Sequence, residues 1–305
     1  MCNNIRLDGN MADLVNATDT LTAIAKDTSK VDGKFKKGYM EKWEGVGKFS
    51  TASELDFPRG LCVCPNGDIA VTDLGDFGYS TGVNIFGRTG KFKFCFKNDL
   101  RSVWDIDTTL DERYVITGRE EVQFYDAEGN LLTTTPIYDS NDKPVRPRNV
   151  CVDPMGKIIV GTFSDAVSIL DPDGLFLSKF TTNHNLWPKG LTATSSQQIA
   201  MSFSSGDGLQ LVDYFGNHPR VILPPEDVEK WHPYFLCCSQ QDELFVCSQE
   251  YPAAIYRCST SGEFLGCVTT SVSDPMGLAL SKDGEELYVA DHVPNDTSIK
   301  IFRRP

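Results

Sequence analysis

The chain has 305 residues, 40% of them hydrophobic and 10% aromatic, with a formal net charge of −13. That is enough length and apolar content for one large all-β unit, while the acidic balance argues against a protein built to coat nucleic-acid phosphates and against DNA as a partner. No run approaches the ~18 consecutive apolar residues of a membrane span.

The N-terminal MCNNIRLDGNMADLV carries acids and polar residues where a signal peptide needs a basic and then an apolar segment. A cytoplasmic location is therefore expected. Residues 1–35 read as a linker or stalk. Leu14, Ala17, Leu21 and Ile24 fall at helical spacing there, but the stretch is short and polar. The segment YMEKWEGVGKF, 39–49, has the character of a strand. From residue 36 to 305 the chain reads as one propeller.

A repeat then dominates. FPRGLCVCPNGDIAVTD begins at Phe57, LRSVWDIDTTLDERYVIT at Leu100, RPRNVCVDPMGKIIVGTF at Arg146, WPKGLTATSSQQIAMSF at Trp187, HPYFLCCSQQDELFVCS at His232 and DPMGLALSKDGEELYVAD at Asp274. These units return roughly every 41–46 residues, the period of a four-stranded propeller blade. Each holds an apolar strand, a turn and a second apolar strand. A variable loop leads to a third strand (VNIFG, VQFYD, VSILD, LQLVD, AIYRC, IKIFR), and a Gly- or Asn-bearing turn leads to an outer strand. The sixth unit stops at IKIFRRP after three strands. An open ring would expose strand edges, so residues 39–49 are expected to complete the last blade. The fold class is all-β, a six-bladed β-propeller.

Ten cysteines form no paired zinc pattern and sit mostly in apolar strand-like runs such as GLCVC and LFVCS, so they read as small buried hydrophobes. His184, His218, His232 and His292 fall at unrelated places in their repeats, which does not bring them to one metal. No catalytic residue, metal or cofactor is expected.

The units FPRGLCVCPNGDIAVTD and DPMGLALSKDGEELYVAD resemble NHL repeats, and the resemblance spans about residues 40–305. It implies the C-terminal domain of tripartite-motif proteins: a non-catalytic module binding a protein or peptide, probing substrates for a ubiquitin ligase whose zinc modules this chain lacks. RNA is the alternative partner. The Asn-x-Arg that RNA-binding NHL domains carry before the third strand is missing here.

A basic arc is the candidate interface. Arg59, Arg148 and Lys189 follow the blade-start proline, Arg101 and Arg146 lie one residue before equivalent sites, and Tyr234 takes the place in blade five, with Trp187 nearby. Arginine and aromatics are typical anchors. The arc reads either as a pocket for an acidic peptide or nucleic-acid strand on the loop-rich face, or as solvated charge balanced by Asp56, Asp105 and Asp107. The blade RPRNVCVDPMGKIIVGTF also resembles the Asn-bearing blade of metal-dependent lactonase propellers, which makes Asn149 a candidate ligand. The equivalent positions, taken as Gly60, Val103, Gly190, Phe235 and Gly277, offer no side-chain oxygen. A calcium site needs 6–8 oxygens.

Overall fold

The computed structural model describes residues 43–49, 55–75, 81–97, 102–118, 120–182, 187–203, 208–224, 231–249, 252–294 and 296–305. The expected stalk at 1–35, Arg101 and His184 lie outside them, as do most residues of the variable loops at 74–82 and 204–208. The described residues contain no helix, and so none long and apolar enough to cross a membrane.

Twenty-four strands form six four-stranded antiparallel sheets. The first strand, β1 (Glu44–Phe49), stands apart in sequence from its sheet. Blade one is β2 (Pro58–Val63), β3 (Ile69–Asp73), β4 (Gly82–Phe86) and β5 (Phe92–Phe96). Blade two is β6 (Asp105–Thr108), β7 (Tyr114–Thr117), β8 (Glu121–Tyr125) and β9 (Leu131–Pro136). Blade three is β10 (Pro147–Val152), β11 (Ile158–Thr162), β12 (Ala166–Leu170) and β13 (Phe176–Thr181). Blade four is β14 (Pro188–Ala193), β15 (Gln198–Phe203), β16 (Leu209–Asp213) and β17 (Arg220–Ile222). Blade five is β18 (Pro233–Cys238), β19 (Glu243–Ser248), β20 (Ala254–Ser259) and β21 (Phe264–Thr269). Blade six is β22 (Pro275–Leu280), β23 (Glu286–Asp291) and β24 (Ser298–Arg303). β1 completes blade six as its outer strand, from Glu44 opposite Arg303 to Phe49 opposite Ile299. The expected closure of the ring is observed.

Turn chemistry explains the hairpins. Asp153 Oδ1 accepts from the backbone N–H of Met155 and Lys157, both at 2.8 Å, and Gly156 then takes φ +88°. Asp126, Asp171 and Asp213 repeat the device. Such Asx turns fold locally. The core lies between blades. One apolar cluster joins blades one and two through Ile85, Phe96, Ile106 and Tyr125, and another joins five and six through Trp43, Phe245, Val289 and Phe302.

The six innermost strands, β2, β6, β10, β14, β18 and β22, ring a central channel. In five of them the register shifts just after the opening proline, a β-bulge at Pro58/Leu61, Pro147/Asn149, Pro188/Gly190, Pro233/Leu236 and Pro275/Gly277. A bulge re-aims the side chain it displaces. One residue further on, the chain passes so close to the next blade that a side chain barely fits. A Cβ on Gly277 would stand 2.4 Å from the Arg59 carbonyl oxygen, and one on Gly60 would stand 2.5 Å from Asp105 Oδ1.

Gly277→Val should therefore lower the unfolding free energy by about 1–3 kcal/mol through overpacking. Gly47→Ala, with open space around the site, should be nearly neutral. Chemical denaturation of both variants checks this, and equal stabilities would refute the close-approach argument.

Candidate functional site

The register places one residue per blade at the channel mouth. Leu61, Ile106, Val150, Leu191, Leu236 and Leu278 are equivalent by their partners on the second strand. Two residues earlier stand Arg59, Trp104, Arg148, Lys189, Tyr234 and Met276. Blade two corrects the sequence reading. It has no opening proline, and its equivalent of Gly60 is Asp105 rather than Val103, since Asp105 N donates to Thr117 Oγ1 as Gly60 N does to Thr72 Oγ1. The ring position is thus Trp104, three residues beyond Arg101.

Arg59, Arg148, Lys189 and Tyr234 come together as expected, and aromatic side chains separate the charges. The Arg59 guanidinium lies 4.5 Å from the Phe57 ring centre and 5.0 Å from that of Trp104. Arg148 lies 5.2 Å from Trp104, 4.9 Å from Phe163 and 5.8 Å from Tyr234. Its Nη2 donates to the Tyr234 hydroxyl at 2.8 Å. Lys189 Nζ stands 5.3 Å from the Tyr234 ring and 5.7 Å from Trp187. Trp104, Phe163 and Phe57 were missing from the sequence reading because they come from different blades and places in the repeat. Arg146 is exposed and precedes β10, outside the ring. Trp231 is buried against Tyr256.

Backbone contacts fix the ring residues. Thr117 Oγ1 donates to the Arg148 carbonyl at 2.9 Å, from blade two to blade three. The Ser202 hydroxyl likewise donates from blade four to the Tyr234 carbonyl. Asn149 bridges three to four, its Nδ2 donating to the Lys189 carbonyl at 3.0 Å.

No carboxylate among the described residues pairs directly with these charges, although Asp274 acts on Arg59 from a distance. Among the described residues no salt bridge involves Arg59, Arg148 or Lys189. Elsewhere cations find acids: Arg257 with Glu243, Lys300 with Asp291, Arg303 with Glu286. Arg148 is only 4% exposed, and its Nε, like that of Arg59, has no hydrogen-bond partner. Burial lowers the Lys189 pKa below the usual lysine value. Tyr234 opposes the shift, and Arg148 and Arg59 add to it. Arg59 is lowered in the same way, first by burial.

Behind the ring, a cavity of about 650 Å³ follows the channel toward the opposite mouth, lined by the inner strands. Asp105 and Asp107 reach it and lace blade two to blade three. Asp105 Oδ2 accepts from Val150 N at 3.1 Å and Asp107 Oδ2 from Val152 N at 2.7 Å. Removal from bulk water pushes their pKa values up to about 7 and about 6, against these backbone donors.

A divalent cation does not fit beside Asn149. The side chain is turned into the gap between blades, and the nearest ring members are cations. Among the described residues no group of three or more His, Cys, Asp or Glu could hold a metal.

No protein-family model matches the chain, and neither does any curated protein sequence. Solved structures do match in fold. A gluconolactonase of Xanthomonas campestris gives a TM-score of 0.68 at 16% identity, covering 83% of this chain and 87% of that one. Regucalcin of Agrobacterium tumefaciens, a calcium-binding protein, gives 0.68 at 12%, covering 87% and 95%. A luciferin-regenerating enzyme gives 0.65 at 16%, covering 86% and 94%. The six-bladed fold is common to all. These neighbours correct the reading as a non-catalytic protein- or RNA-binding module of a tripartite-motif ligase. The propellers this chain is similar to include enzymes, and the resemblance to NHL domains is not confirmed.

Asp105 and Asp107 make stability depend on pH with a definite sign. Their folded values exceed the ~3.9 of a free aspartate, so the folded chain holds protons that the unfolded chain releases. The stability they contribute is full below about pH 4 and is lost as pH rises through about 6 and about 7. Denaturation from pH 4 to 8 should show this decline, and the Asp105→Asn/Asp107→Asn double variant should flatten it. An unchanged slope would contradict the assignment.

Proposed function

We propose that the chain is a propeller hydrolase of the lactonase kind, opening a small ester or lactone at the channel mouth. The observation that carries this reading is the buried Arg148 guanidinium, oriented by the Tyr234 hydroxyl at 2.8 Å and free of any carboxylate partner. Fixed donors in a site of low dielectric are the strongest means of stabilising an oxyanion. The fold shared with a gluconolactonase and a luciferin-regenerating enzyme supports the same reaction class.

Lys189 supplies the base. Its lowered pKa gives a neutral amine at a lower pH than a free lysine would allow. The amine takes a proton from water as the water oxygen bonds to the carbonyl carbon. The carbonyl electrons move to oxygen, facing the Arg148 N–H donors. When the tetrahedral intermediate collapses, the ester C–O bond breaks and the departing oxygen takes the proton back from the Lys189 ammonium. The products are a carboxylic acid, which releases its proton to solvent to become a carboxylate, and an alcohol, joined in one hydroxy acid if the substrate is a lactone. No step is routed through a metal. The buried free thiols of Cys62, Cys64, Cys151, Cys247 and Cys258 support a reducing compartment, in keeping with the cytosol.

Purified full-length chain should hydrolyse members of a panel of five- and six-membered lactones and aryl esters, with kcat/KM rising with pH along a limb set by Lys189. Lys189→Arg keeps the charge and removes the base. It should reduce kcat by about 10²-fold or more, on the scale of a lost general base, with an unchanged circular dichroism spectrum. Absence of turnover across the panel, or full activity in Lys189→Arg, would overturn the reading.

A further inference from the structure

We propose that the mouth takes substrates bearing a carboxylate or phosphate group, seated on Arg59 in the positive field of Arg148 and Lys189. This rests on the hydrolase reading for the word substrate, although the anion site itself stands without it.

Three cations gather in a chain of net charge −13 with no direct salt bridge to an acid among the described residues. The nearby carboxylates are committed elsewhere. Asp105 receives the backbone N–H groups of Val150 and Ile106. Asp274 Oδ1 accepts from Gln249 Nε2 at 3.0 Å, and its Oδ2 lies 3.7 Å from His292 Nδ1. Arg59 and Arg148 each keep a buried Nε without a partner. Aromatic faces offset part of the cost of holding these cations away from water, but they accept no N–H hydrogen bond along the guanidinium edge. A planar carboxylate or a phosphate oxygen pair matches that edge.

The sign of the site is opposite to that of a metal centre. Where related motifs would place an oxygen ligand, Asn149 is turned into the blade gap. Size also limits the ligand. Arg148 is 4% exposed and Arg59 half-buried, so only a small anionic group reaches them, while Trp187, 39% exposed beside Lys189, offers a ledge for the ligand's body. Arg59 shares the Trp104 ring with Arg148, and Tyr234 acts on both, so the second group is seated beside the reacting carbonyl.

Isothermal titration of the full chain at low ionic strength tests the site without turnover. The probes are inorganic phosphate and sodium benzoate, with choline chloride and calcium chloride as controls. Saturable binding of phosphate, benzoate or both is expected, and the stronger of the two identifies the group. Arg59→Gln should weaken it at least tenfold, whereas Arg59→Lys should retain part of it. In steady-state assays Arg59→Gln should raise KM for esters carrying a carboxylate or phosphate at least tenfold more than it raises KM for neutral esters. If neither anion binds, if Arg59→Gln binds them as well as the unaltered chain does, or if calcium binds in their place, the proposal is overturned. Ester turnover without anion binding would sink this proposal and leave the hydrolase reading. Anion binding without turnover would do the reverse.

Discussion

The close approach of the inner strands around the channel is the constraint on which the rest of the structure depends. Gly60, Gly190 and Gly277 stand where a Cβ would meet the next blade at 2.5, 2.5 and 2.4 Å. In these three blades the strands approach too closely for a side chain at that position, and in five blades the bulge just before it displaces a residue toward the mouth. The hydroxyls of Thr117 and Ser202 then bond the carbonyls of Arg148 and Tyr234 across blade boundaries. Scaffold geometry and site geometry are thus one feature. The bulges that let the ring close also point Arg59, Arg148, Lys189 and Tyr234 inward.

Electrostatics is sorted by the same geometry. The acids on the inner strands, Asp105 and Asp107, turn toward backbone N–H groups of blade three and serve as inter-blade fasteners. Partial burial in the channel wall raises their pKa values, and the backbone donors oppose the shift. The ring residues face the other way, into a mouth walled by aromatics. Carboxylates and cations sit within one channel yet are not spent on each other. A buried ion pair would offer stability of doubtful sign and leave nothing to bind a ligand. Charges kept apart and held by fixed dipoles are ready to act on a third party.

Much of the architecture was legible because its steric demands recur in sequence. The proline, the glycine two residues on and the Asx turns recur from blade to blade, so the period and the closure by β1 could be read directly. Blade two shows where such reading stops. It has neither the proline nor the glycine, and its register is set by the Thr117 hydroxyl, a contact no linear pattern announces. Arg101 was therefore favoured where the ring places Trp104. The aromatic walls escaped notice for a related reason, since Phe57, Trp104 and Phe163 meet only after three blades are assembled. Function was misread because the blade motif reports strand geometry, which binding modules and enzymes share.

Asn149 makes the same point from the chemistry of one side chain. Its surroundings, Asn followed by Asp-Pro-x-Gly, match the metal-bearing blade of lactonase propellers, and the position is where three other blades have glycine. With glycine, the neighbouring strand fills the gap. With asparagine, the side chain fills it and replaces the lost contact by donating to the Lys189 carbonyl. Its Oδ1 is left buried without a hydrogen-bond partner, and an unsatisfied polar atom costs about 1–3 kcal/mol. A metal would satisfy that oxygen, but the flanking Arg148 and Lys189 make the site hostile to a cation and favourable to an anion. The identity of the two flanking residues, more than the asparagine itself, decides which ligand the mouth can accept. Propellers that share the blade motif can thus diverge in chemistry through the residues that the bulges turn toward the mouth.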